Sequence, residues 1–319
     1  MLARRLLTIP LFVGTTLLLT GLLPMLLLVA LLLSIFPATR GALATLLFVV
    51  GYLWCETIGI VASLVIWIRY HGQESFLPAN FTLQCWWANA LKTLAQTFYR
   101  LHFHVEGAEV LGQGPAIMLP RHPSIADTVI PMVYYAIPQQ IHLRYVLKKE
   151  LLLDPCLDIV GNRLPNYFVD RGGQDSDAAR AGVARLVADL GDQEGALIYP
   201  EGTRFTPAKR AALKARYAND SDMLAQLERW PTLLPPRLGG TLALLQANPG
   251  LDVVFCAHSG FEGSSHFRNL INGSWLGADI RLRFWRVPFA AIPQDAAGRR
   301  EFVFAQWDEM QRSVSAMQS

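Results

Sequence analysis

The chain has 319 residues, a formal net charge of +3 and a hydrophobic fraction of 52%. Its length allows one large domain with an appendage, and its mean hydropathy of +0.28 is high for a soluble protein. The small net charge excludes a nucleic-acid partner recognised through a strongly basic surface, so we expect no nucleic acid among the partners.

Two long apolar runs occupy the N-terminus. The first covers residues 6–36 without a charge, and the second covers residues 42–68 with Glu56 as its one charge. Each exceeds the roughly 20 residues needed to cross a bilayer, so residues 1–70 are predicted to form a membrane-embedded helical hairpin. A signal peptide is the alternative for the first run, but its apolar length is too great and another apolar run follows. The hairpin either spans the bilayer or re-enters from one face.

The charges that flank the hairpin predict its orientation. Arg4 and Arg5 precede it and Arg69 follows it, whereas the connecting loop carries Arg40. If both runs span, the positive-inside rule places both ends in the cytoplasm. The four cysteines are far apart and form no C-x-x-C pair, which suits reduced core residues. We therefore expect a membrane protein, of the inner or plasma membrane, whose main domain faces the cytoplasm.

Residues 71–319 are predicted to form that main domain. Residues 81–99 place apolar side chains at steps of three and four, which predicts one helix with an apolar face. Because Trp86 and Trp87 suit the headgroup level of a bilayer, this helix is predicted to lie at the interface. A helix packed on the protein core is the equal alternative.

Short apolar runs then alternate with helical patterns, and several of them end in polar groups. This pattern predicts an α/β fold with a mixed sheet flanked by helices and a rim of functional groups. His102 and His104 face the same way on the first strand, and we interpret them as a solvated strand face because no third metal ligand is placed nearby. The predicted strands are residues 101–105, 116–119, 167–169, 196–199, 253–257 and 280–284.

The stretch that follows the second of these strands carries the first candidate chemistry. His122 lies at the predicted turn, Pro123 is predicted to be the first residue of a helix, and Asp127 follows about one turn later. An imidazole and a carboxylate close together can act as a general base, because the carboxylate fixes the tautomer and stabilises the imidazolium. A polar helix cap is the alternative for the pair alone.

Two further stretches raise the weight of the catalytic interpretation. Glu201, Gly202, Thr203 and Arg204 follow the strand at residues 196–199. Likewise, Asp170 and Arg171 follow the strand at residues 167–169. Because the ends of neighbouring parallel strands meet at one edge of a sheet, we expect these polar groups to line one crevice.

Taken together, these stretches resemble the glycerolipid acyltransferase superfamily, which includes the 1-acylglycerol-3-phosphate (lysophosphatidate) acyltransferases. His122 and Asp127 match its H-x-x-x-x-D motif, and residues 201–204 match its E-G-T-R motif. Residues 168–171 resemble its block that ends in a phosphate-binding arginine, and the stretch from Lys148 resembles its K-x-E-L segment. The resemblance covers residues 100–260.

The chain also departs from the family pattern. Arg121 stands where the family usually has asparagine, and Pro123 after the motif histidine is unusual. The fourth block, residues 253–258, ends in Ala257 and His258 in place of the usual V-P-V type of run. These departures bear on the acceptor more than on the chemistry.

The resemblance implies direct acyl transfer without a metal, a cofactor or a covalent enzyme intermediate. His122 is expected to deprotonate a hydroxyl of a glycerol-based acceptor, which attacks the thioester of acyl-CoA or an acylated acyl carrier protein. Asp127 is expected to orient His122. The membrane bilayer is expected as a partner, because acceptor and product are both lipids.

The implied acceptor is a lysophospholipid, foremost 1-acylglycerol-3-phosphate, and the implied product is phosphatidic acid. By resemblance, Arg171 holds the acceptor phosphate and Lys148 adds to that anion site. Glu201, Gly202, Thr203 and Arg204 are expected to shape the acceptor site. Another lysophospholipid or lipid acceptor remains the alternative within this family.

Two readings from other functional classes are weaker. A serine hydrolase, which would make the protein a membrane lipid hydrolase, needs a G-x-S-x-G elbow, and the nearest stretch, residues 257–260, lacks the first glycine. A non-catalytic membrane scaffold would not need the histidine, the carboxylates and the arginines together.

Overall fold

The structure, a computed structural model, describes residues 2–170, 176–262 and 268–319. The chain folds into two compact units. The first comprises Met1–His102, Leu147–Phe168 and His266–Ala278, and the second comprises Phe103–Val146, Val169–Ser265 and Asp279–Ser319. The predicted boundary at residue 70 stays a prediction, because each unit collects segments from several parts of the chain.

Helices account for most of the described chain. Within these ranges the α-helices are α1 (Leu2–Gly21), α2 (Leu23–Leu33), α3 (Ala42–Tyr70), α4 (Phe76–Tyr99), α5 (Ile137–Gln139), α6 (Pro155–Gly161), α7 (Ser176–Ala188), α8 (Pro207–Arg216), α9 (Ser221–Arg229), α10 (Leu238–Gln246), α11 (Arg268–Ile271) and α12 (Ala296–Gln318).

A seven-stranded sheet runs in the order β1-β7-β6-β2-β5-β3-β4. Strand β2 is parallel to both β5 and β6, and β3 is parallel to β5. Strand β7 is antiparallel to β6, so the predicted mixed sheet flanked by helices is confirmed. The strands are β1 (His102–Glu106), β2 (Ala116–Pro120), β3 (His142–Lys148), β4 (Tyr167–Val169), β5 (Glu194–Leu197), β6 (Asp252–Ser259) and β7 (Asp279–Val287).

The centre of the sheet is the core of the second unit. All five residues of β2 are buried, as is most of β6, because both strands lie in the middle of the sheet. On β1 the two histidines are exposed, and His104 pairs with Asp279, which confirms the solvated strand face. Strand β4 lies at the edge of the sheet, and all three of its residues are half-buried.

In the first unit, α3 and α4 pack antiparallel along most of their length. The Tyr99 hydroxyl bonds to Thr45 near one end, and the Trp87 indole donates to Glu56 at 2.6 Å near the middle. This packing is what the core alternative for residues 81–99 predicts. Trp86 remains exposed, and the interfacial role of the helix stays a prediction.

The apolar runs at the N-terminus are helical. Within the described residues, two helical segments are long and apolar enough to cross a membrane by length and composition, Leu2–Gly21 and Pro37–Tyr70. Many of their leucine, valine and isoleucine side chains are exposed, which suits contact with lipid. Glu56 is fully buried, so its carboxylate does not face outwards.

Candidate active site

The two motif stretches meet at one edge of the sheet. Strands β2 and β5 are parallel neighbours, with Ile117 opposite Ala196, so the segments that follow them emerge side by side. The backbone N–H of Phe205 donates to the carbonyl of His122 at 2.7 Å. The H-x-x-x-x-D and E-G-T-R stretches are therefore joined directly through their backbones.

His122 and Asp127 form a hydrogen-bonded pair. The distance from His122 Nδ1 to Asp127 Oδ1 is 2.9 Å, and the His122 side chain is 12% exposed while that of Asp127 is 1% exposed. Because an ionised carboxylate can only accept, Nδ1 carries the hydrogen and Nε2 is left as the basic nitrogen. The pair has the geometry of a general base held in one tautomer.

Asp127 also shapes the turn that carries His122. Its second carboxylate oxygen accepts the backbone N–H of Ser124 at 2.8 Å, and the Ser124 hydroxyl accepts the N–H of Ala126 at 3.1 Å. These bonds hold residues 123–125 in a bend, and the helical turn begins only at Ala126. The prediction that Pro123 is the first residue of a helix was therefore wrong.

Tyr199 completes the surroundings of the histidine and was not singled out by the sequence. Its ring lies 4.4 Å from the His122 ring between centroids, and its hydroxyl donates to the backbone carbonyl of Asp127 at 3.1 Å. Burial, followed by the negative charge of Asp127, raises the pKa of Tyr199, so the phenol stays protonated and keeps donating. Tyr199 lies two residues after the end of β5, and this position was the available signal.

Glu201 accepts hydrogen bonds from two backbone N–H groups at the site. One carboxylate oxygen accepts the backbone N–H of His122 at 2.7 Å, and the other accepts the N–H of Leu234 at 3.0 Å. Burial raises the pKa of Glu201, while the charge of Arg121 and the two backbone donors oppose that rise. With both oxygens engaged and 1% of the residue exposed, Glu201 shapes the site by holding the His122 backbone.

Arg121, noted above as a departure from the family pattern, is fully buried. Its guanidinium donates to the carbonyl of His258 at 2.5 Å, to Glu262 at 2.6 Å and to the carbonyl of Thr232 at 3.0 Å. Burial would raise the pKa of Glu262, but the charge and hydrogen bond of Arg121 outweigh it and lower that pKa. Arg121 therefore ties three chain segments together behind His122.

His258 lies on the other side of Asp127. Its Nε2 donates to the carbonyl of Arg121 at 3.1 Å and lies 3.8 Å from Asp127 Oδ2. Its Nδ1 is buried without a hydrogen-bond partner in the described part of the chain. Burial lowers the pKa of His258, so the ring is neutral and leaves Asp127 to pair with His122.

Gly202, Thr203 and Arg204 form the turn after Glu201. Gly202 has a φ of +64° and closes a turn with its N–H on the carbonyl of Tyr199, a conformation that glycine adopts at little cost. Lys209 donates to the Thr203 hydroxyl and to the Arg204 carbonyl, both at 2.9 Å. The half-buried Arg204 side chain has no hydrogen-bond or ion-pair partner among the described residues.

Two further predicted site residues, Lys148 and Arg171, stay predictions. Lys148 is the last residue of β3 and belongs to the first unit, so its part in an anion site stays a prediction. Arg171 lies outside the described residues. Among the residues that the structure does describe, no group of three or more His, Cys, Asp or Glu side chains could hold a metal ion.

Residues 102–228 match the protein family described as Acyltransferase. No curated protein matches the chain. Among solved structures, the chain is similar to the one described as the 1-acyl-sn-glycerophosphate (LPA) acyltransferase, PlsC, from Thermotoga maritima. The two chains are 15% identical, the alignment covers 89% of this chain and 98% of that one, and the TM-score is 0.59. The match of residues 102–228 to the Acyltransferase family, on a PlsC-like fold, confirms the resemblance to the glycerolipid acyltransferase superfamily that the motifs indicate.

Proposed function

We propose that the protein transfers a fatty acyl group from an acyl thioester to a hydroxyl of a lysophospholipid, foremost 1-acylglycerol-3-phosphate. The observation that carries this proposal is the contact between His122 Nδ1 and Asp127, which leaves Nε2 as a base. The family match and the likeness to a lysophosphatidate acyltransferase support the class of reaction and the kind of acceptor.

The reaction follows from the tautomer of His122. Nε2 takes the proton of the acceptor hydroxyl as the hydroxyl oxygen attacks the thioester carbonyl carbon, so a C–O bond begins to form. Asp127 stabilises the resulting imidazolium through Nδ1. The tetrahedral intermediate collapses with cleavage of the C–S bond, and the departing thiolate takes the proton from Nε2. The ester and a free thiol are the products, and His122 returns to its starting state.

Arginines supply the charge for the acceptor phosphate in this proposal. Arg204 is half-buried beside Phe205, whose backbone bonds to His122, and it has no partner among described side chains. A guanidinium suits a phosphate because its planar donors bind two oxygens at once. Arg171 and Lys148 keep the acceptor-binding roles that the resemblance implies.

The apolar helices support a reaction at a membrane surface. Acceptor and product are both lipids, and α1 to α3 expose many large apolar side chains. We propose that the catalytic unit faces the cytoplasm. This compartment is reducing, and it contains acyl-CoA and acyl carrier protein. If both apolar runs span the bilayer, the charges around the hairpin support this orientation.

The test uses purified full-length protein in phospholipid nanodiscs. Palmitoyl-CoA and radiolabelled 1-acylglycerol-3-phosphate are supplied, and CoA release and labelled phosphatidic acid are both measured. We expect equal amounts of the two products. His122→Ala should lose about 10²–10⁴-fold in rate, the usual contribution of a general base. His104→Ala, which removes an exposed histidine on β1, should retain the wild-type rate.

The same assay separates the rival classes. CoA release with free fatty acid and no acceptor would identify a hydrolase, and no release from any donor would indicate a scaffold. Palmitoylated acyl carrier protein, tested beside palmitoyl-CoA, identifies the donor. Wild-type turnover in His122→Ala would exclude the proposed mechanism.

A further inference from the structure

A loop that follows α9 supports the catalytic turn from two directions. We define the support loop as residues 230–234. The N–H of Leu234 donates to Glu201, whose other oxygen holds the N–H of His122. The carbonyl of Thr232 accepts from Arg121, the residue before His122. The backbone position of His122 therefore depends on where the support loop lies.

The support loop is in turn held by the C-terminal helix α12. The indole N–H of Trp307 donates to the carbonyl of Leu234 at 2.9 Å, and Trp307 is fully buried. Gln311 Oε1 accepts the N–H of Thr232 and lies within hydrogen-bond distance of its hydroxyl, each at 3.1 Å, and Gln311 Nε2 donates to the same hydroxyl at 2.8 Å. At the start of the loop, the Trp230 indole donates to Asp308 at 2.9 Å.

These bonds form two continuous routes to the catalytic turn. One runs from Trp307 through Leu234 and Glu201 to the N–H of His122. The other runs from Gln311 through Thr232 to the guanidinium of Arg121. Most groups along both routes are buried, where hydrogen bonds are stronger than in water and a lost partner is costly.

We infer that Trp307 and Gln311 are positioning residues for His122, so that α12 is part of the catalytic apparatus. This inference rests on the proposed acyl transfer. A general base must lie within hydrogen-bond reach of its proton, and a misplacement of about 1 Å costs up to 10²-fold in rate. Neither residue lies within the segment that matches the Acyltransferase family, which ends at residue 228.

The first experiment compares Trp307→Phe with Trp285→Phe. Trp285 also forms an indole hydrogen bond with α12, to Gln306 at 2.8 Å, but it lies on β7 and has no bond to the support loop. Both variants exchange indole for phenyl and remove one N–H donor. We expect Trp307→Phe to lower kcat about three- to tenfold, the effect of one lost hydrogen bond, with unchanged KM for donor and acceptor. Trp285→Phe should keep the wild-type kcat.

A second pair of variants, at Gln311, keeps the inference testable if Trp307→Phe does not fold. Gln311→Met keeps the length of the side chain without a polar group, whereas Gln311→Glu keeps oxygen acceptors for Thr232. We expect the methionine variant to lose kcat about three- to tenfold and the glutamate variant to recover most of it. A purely structural role would lower the melting temperature of both variants without separating their kcat values.

Amide hydrogen exchange tests the same inference without turnover. Peptides that contain His122 should exchange faster in Trp307→Phe than in Trp285→Phe, because the hydrogen bond from the His122 N–H to Glu201 is weakened. Equal exchange in the two variants would overturn the inference, as would an equal kcat. Wild-type protein without transfer activity would instead refute the proposed function and leave the exchange result to decide the placement of His122.

Discussion

At the residue scale, Asp127 has two roles. It fixes the tautomer of His122, and it stabilises the bend at Ser124. Asp127→Asn can still accept one of these hydrogens, but its amide group can also donate to Nδ1 and favour the wrong tautomer. We expect a fall in kcat of about 10²–10⁴-fold with folding retained. Steady-state kinetics and a thermal melt check this, and wild-type turnover would show that the pairing is not used.

Tyr199 offers a graded test of the same pair. Tyr199→Phe keeps the ring that contacts the His122 ring but removes the hydroxyl that donates to the Asp127 carbonyl. One net hydrogen bond contributes about 0.5–1.5 kcal/mol, so we expect kcat to fall by less than about tenfold. Tyr199→Leu removes the ring contact as well and should lower kcat further. Equal kinetics for the two variants would mean that the ring contact does not orient His122.

The sequence predicted the motif residues of the candidate site better than the residues that fix their positions. His122, Asp127 and Glu201 follow apolar strands in recognisable spacing, so local pattern was sufficient. Arg121 was visible only as a departure, because its partners are carbonyl and carboxylate groups more than a hundred residues away. Pairing over such distances leaves no local pattern in one sequence.

At the scale of elements, α6 is fastened to the start of α1 by an ionic cluster. Both carboxylate oxygens of Asp158 accept from guanidinium groups, Arg4 Nη2 at 2.5 Å and Arg5 Nε at 3.0 Å. The Arg5 guanidinium also donates to the carbonyl of Asp158 at 2.7 Å. Burial raises the pKa of Asp158, but the hydrogen bonds and charges of Arg4 and Arg5 outweigh it, so the pKa lies below its ordinary value.

This shift predicts a pH-dependent contribution to stability. In the unfolded chain the carboxyl titrates near pH 3.9, and in the folded chain it titrates lower. The folded state therefore favours the ionised form, and its contribution is full above about pH 4 and is lost as the pH falls through the folded pKa. Asp158→Asn should lower the free energy of unfolding by about 1–3 kcal/mol at pH 7, and its difference from wild type should shrink in acid.

Melting temperatures of wild type and Asp158→Asn, followed from pH 7 to pH 3, check this prediction. Asp177→Asn is the matched control, because Asp177 pairs with Arg180 on the exposed surface of α7. Exposed pairs contribute about 0–1 kcal/mol, so the control should melt like wild type throughout. A gap for Asp158→Asn that is constant with pH would assign the loss to packing and not to charge.

The sequence indicated where most helices lie but not how they meet. Apolar side chains at steps of three and four residues predicted a helix over residues 81–99, and in the structure this helix begins at Phe76. The contact of α4 with Glu56 and the link from α6 to Arg4 were not predictable, because each depends on one polar side chain within an apolar run. Such a residue can face lipid, water or another helix with the same sequence pattern.

At the scale of the whole molecule, the contacts of α3 within its unit argue against a simple transmembrane hairpin. The helix has 29 residues and is about 43 Å long at 1.5 Å per residue. At its start, the N–H of Gly41 donates to the carbonyl of Ile271 at 2.9 Å. Further along, Tyr52 bonds to Asp154 and the carbonyl of Ser63 accepts from Arg163.

Polar segments of the first unit thus contact α3 from its first turn to beyond its middle. If α3 crossed a bilayer, Asp154 and Arg163 would lie at the depth of the hydrocarbon core, where ionised side chains are costly. An arrangement in which α1 to α3 enter the membrane from one face avoids that cost, because the exposed apolar side chains contact lipid while the polar segments stay at the surface. We therefore favour an arrangement in which the predicted hairpin does not span the bilayer and α3 lies along one face of it.

This arrangement predicts that both ends of α3 are reached from the same side of the membrane. Ala38 precedes the helix, Gln73 follows it, and both are exposed, as is Arg300 in the second unit. Each is replaced by cysteine in turn, and sealed vesicles are treated with a membrane-impermeant maleimide before and after permeabilisation. The native cysteines are buried or half-buried, and the unsubstituted protein gives the background. We expect positions 38 and 73 to react from the same side, because a helix that lies along one face of the membrane has both ends there. Position 300 reports the side on which the second unit lies. Labelling of Ala38→Cys from the side opposite to Gln73→Cys would show that α3 spans the bilayer, and the polar contacts of residues 154–163 would then have to form within the membrane.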